Sequence, residues 1–299
     1  MTPVEEKAHT SRSNAPTPWK AYVELLKLRL SSLVALSGAL GYMMGDAKPY
    51  DVTGILLFSL SGMMITGAAN ATNQVLEVEF DRLMQRTGQR PLPSGRLNKR
   101  NAQYFIAVLL FIGLFIQTVL FNPLTAAFSF VSFILYGFVY TPLKRVGSIA
   151  VYVGAIPGGL PPLIGWVAAT GVLSVEAVVL FLIQFIWQFT HFWAVAWVLD
   201  DDYQKAGFKL LPLKRPKTFR TALVVLFFTV ALLPLGVLPT QLGLTGSVSA
   251  WVATLCGLLV LWYNIMLVKE VDNRSAKRLM FSAFIYLPVV QIAYVLDKV

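Results

Sequence analysis

Runs of about 20 apolar residues recur along the whole of this chain, and that one feature fixes most of what it can fold into. In hydrocarbon every backbone N–H and C=O must find a partner inside the protein, which leaves helices or closed barrels. The runs are continuous rather than alternating, so they are read as helices. Of 299 residues, 56% are hydrophobic and 13% charged, with mean hydropathy +0.65, which excludes a soluble globular domain. Nine spans are expected, at roughly 30–45, 53–75, 101–121, 124–140, 148–169, 175–198, 218–238, 248–268 and 278–296. The expected fold class is all-α, a polytopic membrane bundle. Residues 1–20, polar and without the apolar core of a signal peptide, read as a disordered cytoplasmic tail; residues 21–299 read as one transmembrane domain.

Charge orients the bundle. The net charge of +10 would suggest nucleic acid in a soluble protein, but 23 of the 25 Lys and Arg fall on one side of the nine spans, with only Lys48 and Lys298 opposite. By the positive-inside rule the N-terminus and the basic connections are cytoplasmic, and the charge is topology rather than nucleic-acid binding. The single cysteine, Cys256, lies in an apolar run, so no disulfide contributes. The external connections are short. The long ones, 76–100 and 199–217, are both cytoplasmic, start with carboxylates and end in a Leu-Pro element beside basic residues, Leu92-Pro93 and Leu211-Pro212. Spans one to four and five to eight therefore read as a weak parallel repeat with a ninth span added. Span five carries Gly154, Pro157, Gly158, Gly159, Pro161 and Pro162, a density that needs neighbouring protein to satisfy freed carbonyls. Either close helix packing or a bend around a large ligand would account for it.

The chemistry concentrates on the cytoplasmic side. Asn73, Glu77 and Asp81 recur every four residues, so a continuing helix would align them on one face. Stacked carboxylates repel unless something positive lies between them. Arg82, Arg86 and Arg90 follow at the same spacing on an adjacent stripe. A hard divalent cation held by the acids, with arginines alongside, would receive a polyphosphate; a solvated helix end pairing its own charges is the alternative. After span six come Asp200, Asp201, Asp202 and Tyr203, of which one or two acids should face inward to complete a metal site with Glu77 and Asp81. No P-loop is present. His191 lies about two turns deeper in span six among aromatic residues, and an intramembrane ionisable group points to a haem-iron ligand, a base, or a neutral imidazole bonded between helices.

These residues resemble a known family. Asn73-x3-Glu77-x3-Asp81 followed by Met84-x-Arg86-Thr87-x2-Arg90-Pro91-x-Pro93-x-Gly95 is similar to the first motif of the UbiA-type intramembrane prenyltransferases, and most narrowly to the branch that farnesylates protohaem IX. Tyr140-Thr141-Pro142-Leu143-Lys144-Arg145, the Gly154–Trp166 segment, and His191-Phe192-Trp193-Ala194 leading to Asp201-Asp202-Tyr203-x3-Gly207 agree, so the resemblance covers residue 22 to the C-terminus. It implies a multi-pass protein of a bacterial inner membrane that joins farnesyl diphosphate to haem B, giving haem O and diphosphate for a terminal oxidase. Mg²⁺ would be held by Glu77, Asp81, Asp201 and Asp202 with Asn73 as a neutral ligand. Arg86, Arg90 and Lys144 would balance the diphosphate, with Tyr203 and His191 on the substrate side and His191 orienting the haem. Membrane lipid and a haem-modifying or oxidase-assembly protein are the further partners it implies. Glu77 stands where many relatives have Asp, and Asp200 where many have a base, which sets Asp200 outside the metal site. No second Asp-x3-Asp follows, which disfavours the quinone-forming branches. A prenyltransferase with a phenolic acceptor and a membrane transporter are the rival readings.

Overall fold

A computed structural model describes residues 18–46, 49–213 and 217–299. Most of the expected tail, 1–17, and Lys48 lie outside the described residues. Residues 18–20 already belong to helix α1, Pro18–Leu25. The remaining helices are α2 (Leu28–Gly45), α3 (Val52–Leu76), α4 (Val78–Leu83), α5 (Lys99–Leu120), α6 (Pro123–Ile134), α7 (Thr141–Leu143), α8 (Ile149–Thr170), α9 (Val175–Val198), α10 (Asp200–Lys205), α11 (Phe219–Gln241), α12 (Ser247–Glu270) and α13 (Asn273–Leu296). A π-helix, Leu135–Tyr140, joins α6 to α7. No strand occurs among the described residues. Eight helical segments there are long and apolar enough to cross a membrane. The remaining expected span, 30–45, falls in α2, which has 18 residues and carries Arg29 in its first turn. Large apolar side chains face outward on many helices, among them Phe111, Phe227 and Trp251. With a lipid solvent that surface carries no penalty, and the chain is a multi-pass membrane protein.

Helix pairs form where small residues let backbones meet. A Cβ built on Gly165 would lie 1.9 Å from the Gly38 carbonyl oxygen, and one on Gly41 would lie 2.2 Å from that of Pro162, so α2 and α8 touch backbone to backbone. The prolines of α8 do not break it. Pro161 and Pro162 cannot donate to the carbonyls four residues back, and neighbouring helices supply the missing donors. Ser132 Oγ donates to Pro157 O at 3.3 Å, and Gln184 Nε2 to Gly158 O at 2.8 Å. Deeper in the bundle, Ser37 of α2, Gln184 of α9 and Gln291 of α13 close a hydrogen-bonded triangle. Thr190, Thr229 and Asn264 link α9, α11 and α12 in the same way. The largest fully buried side chains are Trp193, Trp197, Tyr286 and Tyr294, carried by α9 and α13 where they pack against each other and α11 and α12.

Candidate active site

The end of the bundle that carries the two long connections gathers the charged residues. The helix expected to run through Asn73, Glu77 and Asp81 is interrupted: Glu77 adopts φ −103°, ψ 11° between α3 and α4. The bonds Glu77 N to Asn73 O (3.0 Å) and Asp81 N to Glu77 O (2.7 Å) survive, so the three side chains keep nearly helical spacing through the bend. The arginine stripe does not form. Helix α4 ends at Leu83, and Gly88, Pro91 and Pro93 turn the chain back on itself. Arg82 therefore pairs at the surface with Glu79, while Arg90 folds under to Asp81.

Both carboxylates are buried, and each has found its own cation. Arg90 Nη1 donates to both oxygens of Asp81, at 3.0 and 2.8 Å. Lys144 Nζ lies 2.8 Å from each oxygen of Glu77. It is directed at Oε2, which also accepts from Asn73 Nδ2 at 2.9 Å, and Oε1 is left buried without a hydrogen bond. Asn73 donates in addition to Thr141 Oγ1 at 3.1 Å, whose own hydroxyl donates to Tyr136 O in the π-helix. The π-helix thus turns Tyr136 and Tyr140 towards the acids, and the Tyr140 ring faces Lys144 Nζ at 5.0 Å. Phe208 adds a second aromatic face at 5.8 Å. Burial pulls the Lys144 ammonium below its ordinary value, and Glu77 opposes the pull.

Lys27 belongs to this group, although from the sequence it counts only towards topology. It sits between α1 and α2 in the left-handed region, φ 47°. Half-buried by surface yet enclosed by protein atoms, its ammonium is pulled down to about 7 by burial and by Arg90 and Lys144, against the attraction of Asp81 and Glu77. A strained backbone holds this third base beside two existing ion pairs, so the site carries one positive charge in excess whenever Lys27 is protonated. That excess suits a polyanion. The one signal in the sequence is a base at the entry of the first span.

Across from it lies the second acidic segment. Asp202 Oδ1 accepts from the Gln85 backbone N–H at 3.0 Å, which ties the two long connections together. Arg86, Asp201, Asp202 and Lys205 line a pocket of about 390 Å³. Tyr203 is half-buried between the clusters, and burial raises its phenol. Of the three consecutive acids it is Asp200 that turns inward, accepting from Gln204 at 2.7 Å, with burial raising its carboxyl. Asp201 is 80% exposed and pairs with Lys217 at 3.1 Å, so the structure does not bring it to Glu77. Nowhere among the described residues do three or more Asp, Glu, His or Cys converge as a metal cage. The donors still fit Mg²⁺, which commonly takes one or two carboxylates and completes its shell with phosphate oxygens and water. Glu77 Oε1, beside the Lys144 ammonium at 2.8 Å but without a directed hydrogen bond, is the oxygen with lone pairs left for such a partner.

Below the charged end lies an apolar cavity of about 430 Å³, walled by α2, α3, α8, α9, α13 and the π-helix. Tyr136 and Tyr140 stand where it meets the acids, and His191 lines it further down. Leu30, Leu33, Leu36 and Phe284 line it too and are exposed, so the cavity reaches the lipid-facing surface between α2 and α13.

The model of the UbiA prenyltransferase family matches residues 34–287. The chain belongs to the UbiA prenyltransferase family. It is 46% identical over 281 residues to the protoheme IX farnesyltransferase of Cytophaga hutchinsonii, covering 94% of this chain and 98% of that one. With the Flavobacterium psychrophilum enzyme of the same name it shares 42% identity over 285 residues, 93% and 94% of the two chains. Among UbiA-family structures, digeranylgeranylglyceryl phosphate synthase superposes with TM-score 0.78 at 22% identity, covering 94% of this chain and 98% of that one. A UbiA homologue from Archaeoglobus fulgidus bound to GPP and Mg²⁺ gives 0.65 at 15% identity, over 92% and 99%. The family's shared architecture is the one described above.

Proposed function

We propose that this protein transfers the farnesyl group of farnesyl diphosphate to a vinyl group of haem B, giving haem O and diphosphate. The observation that carries the reading is the pairing of near full-length identity to protoheme IX farnesyltransferases with a surplus-positive, acid-lined pocket opening onto an apolar cavity. The diphosphate rests at the charged end, against Lys27, Arg90, Lys144 and, from the pocket shared with the facing connection, Arg86. Glu77, Asp81 and Asp202, with Asn73 beside them, are the residues that would hold Mg²⁺, which when bound neutralises charge on the diphosphate; Asp201, paired with Lys217, stands outside this set. The lysines and arginines stabilise the leaving group as the allylic C–O bond breaks. The farnesyl chain lies in the apolar cavity, where bulk water is excluded and the Tyr136, Tyr140 and Tyr203 rings face the developing cation. Haem enters on the α2–α13 side, and His191 orients it. The bias of basic residues supports a cytoplasmic charged end, and the family resemblance implies a bacterial inner membrane.

The test is product analysis. Purified protein given haem B, farnesyl diphosphate and Mg²⁺ should release diphosphate only when haem is present and yield a farnesylated, hydrated haem. Farnesylation of a phenolic acid in place of haem would move the protein to the quinone-forming side of the family.

A further inference from the structure

Three polar side chains run down the cavity-facing side of α9 at helical spacing, Gln184, Gln188 and His191. A wall meant only for a prenyl chain and a flat macrocycle would carry none. Gln184 is committed: its oxygen accepts from Ser37 and Gln291, and its nitrogen donates to Gly158 O. Gln188 and His191 are only half committed. Gln188 Nε2 donates to Ala155 O at 3.0 Å, and no described residue bonds its oxygen. His191 Nδ1 lies 3.2 Å from Met280 O, and because a carbonyl can only accept, Nδ1 carries the proton. The neutral ring then has its lone pair on Nε2, which no described residue bonds either. Two free acceptors thus stand one helical turn apart on a single cavity wall.

We propose that Gln188 Oε1 and His191 Nε2 together bind one water molecule, the one that becomes the hydroxyl of the product, and that His191 takes its proton. The inference rests on the farnesyltransferase reading. In that reaction the terminal vinyl carbon of haem bonds to farnesyl C1 as the C1–O bond to diphosphate breaks, leaving a cation on the inner vinyl carbon. A water oxygen lone pair forms the new C–O bond, an O–H bond breaks, and the proton moves to Nε2. Haem B, farnesyl diphosphate and water become haem O, diphosphate and one proton, with no redox change. A water in an apolar cavity needs two or more polar partners, and this pair supplies two acceptors that leave the oxygen lone pairs for the cation. The surroundings suit an imidazole that gains charge. Trp187 stacks on His191 at 5.0 Å and 7°, presenting an aromatic face, and Met280 O already accepts from the ring. Trp187 is itself pinned by its N–H to Ala283 O. Gly158 makes room for the Gln188 amide: a Cβ there would fall 2.0 Å from Oε1 and displace it.

The experiment compares products by mass spectrometry for the wild type, Gln188→Leu, Gly158→Ala and His191→Phe, each as the full chain with haem B, farnesyl diphosphate and Mg²⁺. Diphosphate release is followed in parallel. Cation formation precedes water capture, so Gln188→Leu and Gly158→Ala should still release diphosphate, while for His191→Phe, at a residue that also orients the haem, the product ratio is the readout. An uncaptured cation loses a proton instead, and the farnesylated haem should be lighter than haem O by one water. The ratio of that product to haem O should rise at least tenfold over the wild type. Haem O as the sole product of the variants at any rate, or loss of diphosphate release in all three, overturns the water site. A shifted Soret band of bound haem in His191→Phe with an unchanged product ratio overturns it in favour of iron ligation. If the wild type makes no farnesylated haem, it is the underlying reading that fails.

Discussion

Glu77 and Asp81 are buried charges, and their partners decide what substitution does. Glu77→Gln leaves Lys144 buried without its counter-charge, a loss of roughly 3–5 kcal/mol of stability for a buried pair. Asp81→Asn should cost less, because Arg90, with its side chain 19% exposed, reaches solvent more readily than Lys144. Thermal unfolding in detergent orders the two, and the opposite order would mean the ion pairs are wrongly assigned. Either change should slow diphosphate release on the order of a hundredfold or more, measured at saturating haem. In the second segment, Asp200 binds Gln204 and does not line the pocket of Arg86, while Asp202 grips the first connection. Asp200→Ala should therefore retain more activity than Asp202→Ala. Lys27 gives a pH signature. Its ammonium, held near 7 against an ordinary value of 10.5, is largely neutral in the empty folded site at higher pH. Between those values the unfolded chain holds a proton that the folded site lacks, so this group's contribution to stability rises with pH while the pull on an anion falls. Titration calorimetry with inorganic diphosphate should show affinity falling above about pH 7, with proton uptake on binding. In Lys27→Arg both effects should vanish.

At the scale of the helix, small residues and hydrogen-bonded carbonyls set the architecture. Gly165→Ala drives a methyl into the Gly38 carbonyl at 1.9 Å. Relieving that clash must part α2 from α8, at about 1–3 kcal/mol, visible as a lowered melting temperature. Most of the helical layout was legible in the sequence, because the period and length of apolar runs are set by the membrane itself. The need for outside donors at Pro161 and Pro162 was legible too, and Ser132 and Gln184 meet it. Three local features were not. The bend at Glu77 and the fold-back of Arg90 depend on tertiary pairing with Lys144 and Asp81, which spacing cannot reveal. The π-helix before Tyr140 has no sequence mark apart from its consequence, two tyrosines aimed at one site. Lys27 was hidden because a base at a helix entry is ordinary in any membrane protein. The inward turn of Asp200 rather than Asp201 follows from the break at Leu199, where the chain leaves helical geometry at φ −100°, ψ 8°.

The whole molecule separates its tasks along the bundle axis: charge at one end, an apolar chamber below it, and a lateral opening between α2 and α13. Its orientation can be read with single cysteines in a Cys256→Ser background. Val146→Cys, exposed beside Lys144, should react with an impermeant maleimide only from the cytoplasmic side, and Leu242→Cys only from outside. The reverse pattern would invert the proposed topology. In the proposed reaction the charged end and the chamber act on one pair of substrates, farnesyl diphosphate and haem. The most direct test is the mass spectrum of the wild-type product formed from haem B, farnesyl diphosphate and Mg²⁺. A haem heavier by one farnesyl group and one water, formed in step with released diphosphate, is the predicted result. Unmodified haem alongside released diphosphate, or farnesyl carried by a phenolic acceptor instead, would contradict it.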